Sequence, residues 1–326
     1  MNTSEPLVGV VVPMYNAEAT IDATLASVCA QSYCSLDILV VDDGCSDGSL
    51  ALVEAWSARD SRVRLISQSN AGVAAARNAG AAATAADFLA FVDADDVWAS
   101  DKIALQMNML TRDRGAPALV YCWFVQIDKE GRAYSPGDHT GHEGNVLRQL
   151  CRSNFVGNGS SMLMPRSVFE HVGGFDTSLH ERNAQGCEDL MFLLHAAETY
   201  PFWVVPRHLV GYRLTPENMS SDTLQMLRSF DLVADLYRAK QPSFAPELNA
   251  HRTDMMIWLA RRSLIAGNAR SAGRFIMHLL AANPSLTAKA LPNLLRTFLT
   301  AKVVPRWLKS AAGASLKRPR YEDVSW

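Results

Sequence analysis

Between residues 91 and 96 the sequence reads FVDADD: an apolar run stops, and Asp93, Asp95 and Asp96 follow at once. Carboxylates this close repel one another unless a positive group sits among them. A divalent cation shared with phosphate oxygens is one such group, because Mg2+ and Mn2+ take oxygen ligands, often one or two carboxylates plus a substrate diphosphate. The competing reading is a helix N-terminus, with the acidic side chains at the positive end of a helix through DKIALQMNML. Asp42 and Asp43, in VVDDGCSDGS, pose a similar choice. They are either ligand contacts or parts of a turn in which Asp bonds its own backbone and Gly supplies positive φ. Arg77, in NAGVAAARNAG, suits a diphosphate or base, or an acidic loop. Glu188 and Asp189, in GCEDLMFLLHAA, by themselves suit a helix N-terminus.

The elements that must hold these groups alternate. Short apolar runs at 7–12, 36–41, 63–66 and 88–92 read as strands. Between them lie helix-period segments: AEATIDATLASVCAQ, with Ile21, Leu25 and Val28 on one face and Asn16 as cap, then 50–58, then 72–86. That alternation predicts a mostly parallel sheet covered by helices on both faces. Ligands of such sheets bind at the carboxyl ends of the strands. PMYN, DDGCSDGS, QSNAG and DADD stand at those four ends, so four loops converge on one crevice. Further strands are expected at 118–127, 161–164 and 202–205, with VGNGSS before the second. From Thr223 onward the pattern is helical, which puts a domain boundary near Ser221 to Thr223 and divides the chain into 1–222 and 223–326.

The order PMYN, VVDDGCSDGS, NAGVAAARNAG, FVDADD, GGFD and ED resembles family 2 glycosyltransferases, inverting enzymes with a GT-A fold, over roughly residues 7–215. The resemblance implies an α/β GT-A domain with a Rossmann-like mixed sheet, followed by a helical C-terminal region. It also implies roles. Pro13 and Tyr15 line the nucleotide pocket, Asp43 accepts from the base with Asp42 in support, and Arg77 contacts base or phosphate. Asp93 lies near the ribose, Asp95 is the ligand of Mg2+ or Mn2+, and Asp189 is the base. The implied reaction moves a sugar from a nucleoside-diphosphate donor, a UDP-sugar first, to a hydroxyl of a glycan or lipid-linked glycan, as in polysaccharide biosynthesis. Two positions depart from the family: Cys45 replaces the usual serine after DDG, and Thr215 and Pro216 follow YR where many relatives place a histidine. His180 and His195 receive no role.

A sugar nucleotidyltransferase would favour a Gly-rich, basic triphosphate loop early in the chain, and PMYNAE is neither. A non-catalytic glycan- or nucleotide-binding protein has no need of both Asp95 and Asp189. Neither P-loop nor G-x-G-x-x-G spacing occurs. The chain has 326 residues, 48% hydrophobic and 20% charged, the balance of a folded, water-soluble protein. Its six cysteines are scattered, without metal spacing, which suits a reducing cytoplasm. No apolar run is long enough for a spanning helix, and the N-terminus lacks the basic start of a signal peptide.

Charge is unevenly placed. Twelve Lys and Arg and no Asp or Glu lie between Met255 and Tyr321, in a chain of net charge −2. In LPNLLRTFLTAKVVPRWLK, Leu291, Leu294, Leu295, Phe298 and Leu299 make an apolar stripe, with Arg296, Lys302, Arg306, Lys309 and Trp307 beside it. The pattern suits peripheral contact with an anionic membrane, such as the inner face of the plasma membrane. The alternative is that these helices pack on the acidic remainder of the chain. No nucleic-acid-binding motif accompanies the basic residues, so no nucleic-acid partner is expected.

Overall fold

The computed structural model describes residues 5–111, 117–215, 218–282, 294 and 320–321. Its nine-stranded sheet has the order β3-β2-β1-β4-β8-β6-β9-β5, with β7 paired to β6. The strands are β1 (Val8–Met14), β2 (Leu36–Asp42), β3 (Val63–Ser67), β4 (Phe88–Phe91), β5 (Val97–Trp98), β6 (Leu119–Ile127), β7 (Ala133–Pro136), β8 (Met162–Pro165) and β9 (Phe202–Arg213). β1 to β4 run parallel, β8 is antiparallel to both β4 and β6, and β9 is parallel to β6. β1 lies between β2 and β4, so successive crossovers leave it in opposite directions. The crevice expected at such a switch point opens beyond the ends of these strands.

Alternation along each strand divides the apolar residues between two faces. Val10, Val12, Val40 and Ala90 pack with Ile21, Leu25 and Val28 of α1 (Ile21–Cys29), Val53 of α2 (Ser49–Ser57) and Ile103 and Met107 of α4 (Lys102–Thr111). Val11, Val41, Leu89 and Phe91 face the other way. They join Ala74 and Ala76 of α3 (Val73–Ala82), Leu150 of α5 (Leu147–Arg152), Val168 of α6 (Arg166–Val172), Leu179 of α7 (Ser178–Glu181) and Leu193 of α8 (Glu188–Ala197). The same cluster contains Phe230 of α9 (Thr223–Lys240), Leu259 of α10 (Ala245–Ile265) and Phe275 of α11 (Ala269–Ala282). The helices that follow residue 222 therefore share a core with the sheet.

Three local expectations change. Asn16 does not cap α1: the helix starts four residues later, with Thr20 at its N-cap, and Asn16 takes φ 48° to hold a neighbouring loop. The DADD segment is not a helix N-terminus, because β5 separates it from α4. The strand expected at 202–205 continues to Arg213. Its register against β6 jumps from Val205 opposite Cys122 to His208 opposite Trp123, where Pro206 has no N–H for the ladder. The stripe around 291–309 lies outside the described residues except for Leu294, which is buried in the larger core.

Candidate active site

The end of β1 and the loop after β2 are built together. Asn16 Oδ1 accepts from Ser46 N at 2.8 Å, Asp47 Oδ2 from Glu18 N at 3.0 Å, and Glu18 Oε2 from Gly48 N at 3.0 Å. Asp42 Oδ1 accepts from Cys45 N at 2.8 Å, the turn bond that Gly44 allows with φ 82°. Pro13 is buried within β1 and shapes its end, whereas Tyr15 is 56% exposed and offers its ring at the rim. Asp43 is 3% exposed and binds its own protein: Oδ1 accepts from Gln68 Nε2 and Ala71 N, each at 2.8 Å, and Oδ2 from Gly72 N at 2.9 Å. It thereby ties the β2 loop to the start of α3. A carboxylate has about four acceptor sites, so a base contact would add to these bonds. Cys45 does not act as a thiolate: burial pushes its thiol up to about 11.

Arg77 rises from α3 into the crevice floor, 4% exposed, and donates from Nη2 to Asp93 Oδ1 at 2.5 Å. Its guanidinium lies 5.0 Å from the Phe175 ring centroid. Asn78, the next residue, exchanges two 2.8 Å hydrogen bonds with the Phe175 backbone, which draws the GGFD turn onto α3. Beside the arginine, Gly159 leaves the room that a Cβ would take within 2.9 Å of Nη2.

The DADD segment is a turn, closed by Asp96 N to Asp93 O at 3.0 Å. Asp96 is fully buried and structural. Its Oδ2 accepts from Ser160 Oγ at 2.6 Å and its Oδ1 from Arg213 N at 2.9 Å, while Ser160 Oγ accepts from Asp93 N at 3.0 Å. Burial, then the charges of Asp95 and Asp93, push the Asp96 carboxyl well above its ordinary range. Asp95 remains partly exposed, and its Oδ2 accepts from Asn218 Nδ2 at 2.8 Å. Arg213, adjacent to it, spends its guanidinium on carbonyls: Nε on Asp95 O at 2.7 Å, Nη1 on Asp128 O at 2.9 Å and Lys129 O at 2.8 Å. Asp93 is thus paired with an arginine, whereas the Asp95 carboxylate, among the described residues, receives a neutral amide and no ion pair. Burial, with the Asp93 charge second, raises its carboxyl.

Such a group gains from a cation. The donor set is oxygen only, and no cluster of three or more His, Cys, Asp or Glu suited to a metal occurs among the described residues. One carboxylate completed by water and diphosphate oxygens fits Mg2+ or Mn2+, and does not fit zinc.

Glu188 and Asp189 begin α8. Glu188 is 4% exposed and turns back to accept from Gly186 N at 2.8 Å, whereas Asp189 keeps some solvent contact. Burial among protein atoms raises the Asp189 carboxyl to about 7, against the opposing pull of Arg77 and the Leu190 amide. The Arg77 charge acts on Asp93, Asp189 and Glu188, so these groups form one electrostatic unit.

Residues 9–173 match the family model for glycosyl transferase family 2. The chain belongs to that family. Among curated proteins, the uncharacterized glycosyltransferase EpsJ of Bacillus subtilis is 34% identical over 131 residues, 40% of this chain and 38% of EpsJ. WfgD of Escherichia coli, named a UDP-Glc:alpha-D-GlcNAc-diphosphoundecaprenol beta-1,3-glucosyltransferase, is 39% identical over 108 residues, 33% of this chain and 42% of WfgD. The matched stretches therefore span less than half of these relatives. Among solved structures, the mannosyltransferase PcManGT of Pyrobaculum calidifontis, in complex with GDP-Man and Mn2+, superposes with a TM-score of 0.57 at 22% identity, covering 95% of this chain and 85% of that one. S. aureus TarS 1–349 with UDP-GlcNAc does so at 0.57 and 17%, covering 92% of each. The fold of this glycosyltransferase is GT-A, with a helical C-terminal region.

Sequence reasoning found the carboxylates and missed what holds them. Ser160 lay in VGNGSS, legible only as a polar loop, and Arg213 in YR. Asn218 lay in a turn-prone TPEN with nothing to name its partner. Asn78 adjoins Arg77, yet its bond to a backbone 97 residues away has no local sign.

Proposed function

We propose that this family 2 glycosyltransferase is an inverting enzyme that uses a metal-bound nucleoside-diphosphate sugar and Asp189 as general base. The observation that carries the reading is the allocation of charge around the crevice. Arg77 pairs with Asp93, Asp95 receives only a neutral amide among the described residues and so has most to gain from a cation, and burial raises the Asp189 carboxyl at the edge of the same cluster.

On this reading Tyr15 and the loops tied by Asp43 receive the base, with Asp42 in support, and the Arg77–Asp93 pair lies along the ribose and sugar. Mg2+ or Mn2+ on Asp95 supplies neutralisation of the charge that develops on the diphosphate. The acceptor hydroxyl attacks the anomeric carbon from the side opposite the diphosphate. A new C–O bond forms, the bond to diphosphate breaks, Asp189 takes the hydroxyl proton, and the configuration inverts. A base poised near neutral pH suits this step. A UDP-sugar donor is supported by the UDP-GlcNAc complex of TarS, and a lipid-linked acceptor by the name of WfgD. The basic C-terminal residues provide a second attachment, to an anionic membrane carrying such an acceptor. No helix among the described residues is long and apolar enough to cross a membrane.

The test is transfer by the full-length chain from a panel of UDP-, GDP- and dTDP-sugars, with and without Mn2+, and NMR of the product anomer. Retention of anomeric configuration, or full activity in EDTA, would overturn the reading.

A further inference from the structure

The Asp93–Asp96 turn is supported from below by Ser160. From the side it is held by a relay that starts in the C-terminal helices. Arg262, on α10, donates from Nε to Ser220 O at 2.8 Å and from Nη2 to Thr215 O and Ser221 Oγ, each at 3.0 Å. One guanidinium thus clamps Thr215 to the 3-10 turn Met219–Ser221. Asn218 stands between those two points, and its amide is fully used. Oδ1 accepts from Thr215 N and Oγ1, each at 2.6 Å, and Nδ2 donates to Arg213 O at 2.9 Å and Asp95 Oδ2 at 2.8 Å. Four bonds define which way the amide points, because a reversed group would set its oxygen against two acceptors.

We propose that Asn218 is a positioning residue for the divalent cation at Asp95 and that Arg262 holds Asn218 in place. The inference rests on the reading of Asp95 as the cation ligand. An amide suits the task because it fixes one carboxylate oxygen and leaves Oδ1 for the metal without adding a positive charge. A lysine or arginine at that position would pair with Asp95 and compete with the cation. Hydrogen bonds to ligating groups are worth about 10- to 100-fold in metal affinity. The relay also makes a residue 167 positions beyond Asp95 part of the donor site.

The experiment is calorimetry on the full-length chain with UDP, and GDP in parallel, each with and without Mn2+. Asn218→Ala is expected to cut the Mn2+-dependent gain in nucleotide affinity about 10-fold and to leave metal-free affinity unchanged. Arg262→Ala is expected to do the same to a smaller degree, and Arg262→Lys, which keeps the charge without the planar fork of donors, less still. In turnover, raising Mn2+ should restore the kcat of Asn218→Ala, a rescue that a loss of folded protein would not allow. Asp95→Asn separates the two levels. If it retains the Mn2+ gain, the assignment of Asp95 fails. If it loses the gain while Asn218→Ala and Arg262→Ala keep it, the relay alone is overturned. Equal loss of nucleotide affinity with and without metal would reduce Asn218 to a structural role and also overturn the inference.

Discussion

Glu188 and Asp189 are adjacent carboxylates with different fates: Glu188 shapes a turn, and Asp189 stays partly exposed with its carboxyl raised by burial to about 7. Asp189→Asn is expected to lower kcat by roughly 10² to 10⁴ while donor affinity stays near normal, the usual contribution of a general base. Unchanged turnover of folded protein would move the role elsewhere. In the wild type, kcat/KM should rise with pH to a plateau above about 7, and this limb should vanish in Asp189→Asn. The same shift predicts a stability effect. A carboxyl raised in the fold binds its proton more tightly there than in the unfolded chain, so its stability contribution is full below the unfolded value and falls as pH rises through the folded one. Asp189→Asn should therefore raise the melting temperature more at pH 8 than at pH 5; an equal change at both would contradict the burial argument. At Asp95, replacement by Ala removes the proposed cation ligand from a partly exposed turn. Metal-stimulated nucleotide binding should disappear while the circular dichroism spectrum and melting temperature stay close to wild type.

The start of α3 is tied through Asp43 to the loop that is proposed to receive the nucleotide base. Gly72 has φ 89°, its N–H is bonded to Asp43, and a Cβ there would come within 2.8 Å of both Gln185 Nε2 and His180 Nδ1. Gly72→Ala meets strain from the backbone and from the 180–185 segment together, at a cost of about 1 to 3 kcal/mol. It should lower the melting temperature and weaken metal-free UDP binding, because the Asp43 anchor shifts with it. Thermal melts and calorimetry check both; loss of stability with intact binding would mean that the anchor does not shape the nucleotide pocket. The 180–185 segment thus packs against the start of α3 that Asp43 anchors.

The helices after residue 222 are structural partners of the sheet. Phe230, Val233, Tyr237, Leu248, Met256 and Leu259 are each at most 2% exposed in the shared core. At about 1.5 to 3 kcal/mol per buried side chain, these six contribute about 9 to 18 kcal/mol, on the scale of the roughly 5 to 15 kcal/mol that keeps a typical protein folded. A chain ending at Asp222 is therefore expected to be insoluble or to lack a cooperative melt; a cooperative melt near the full-length temperature would refute the shared core. Membrane attachment must then be tested in the full-length chain. Replacing Lys302, Arg306 and Lys309 by Glu should abolish sedimentation with anionic vesicles at low salt and leave transfer to a soluble acceptor intact. Sedimentation unchanged by these substitutions would remove the electrostatic basis of the membrane reading.

The sequence by itself determined the alternation of strands and helices and the carboxylates placed at strand ends. Those properties are set by residues a few positions apart, through side-chain period and turn chemistry. Only the tertiary structure decided which carboxylate is paired with an arginine and which receives an amide. That choice depends on Arg77 reaching Asp93 across 16 residues and on Asn218 reaching Asp95 across 123. It likewise decided that the C-terminal helices close the core, since an apolar stripe specifies that it must be covered without naming the partner. Burial is a property of the assembled chain, so the raised carboxyl of Asp189 could not be read from ED alone: the same two letters at an exposed helix start would titrate as ordinary acids.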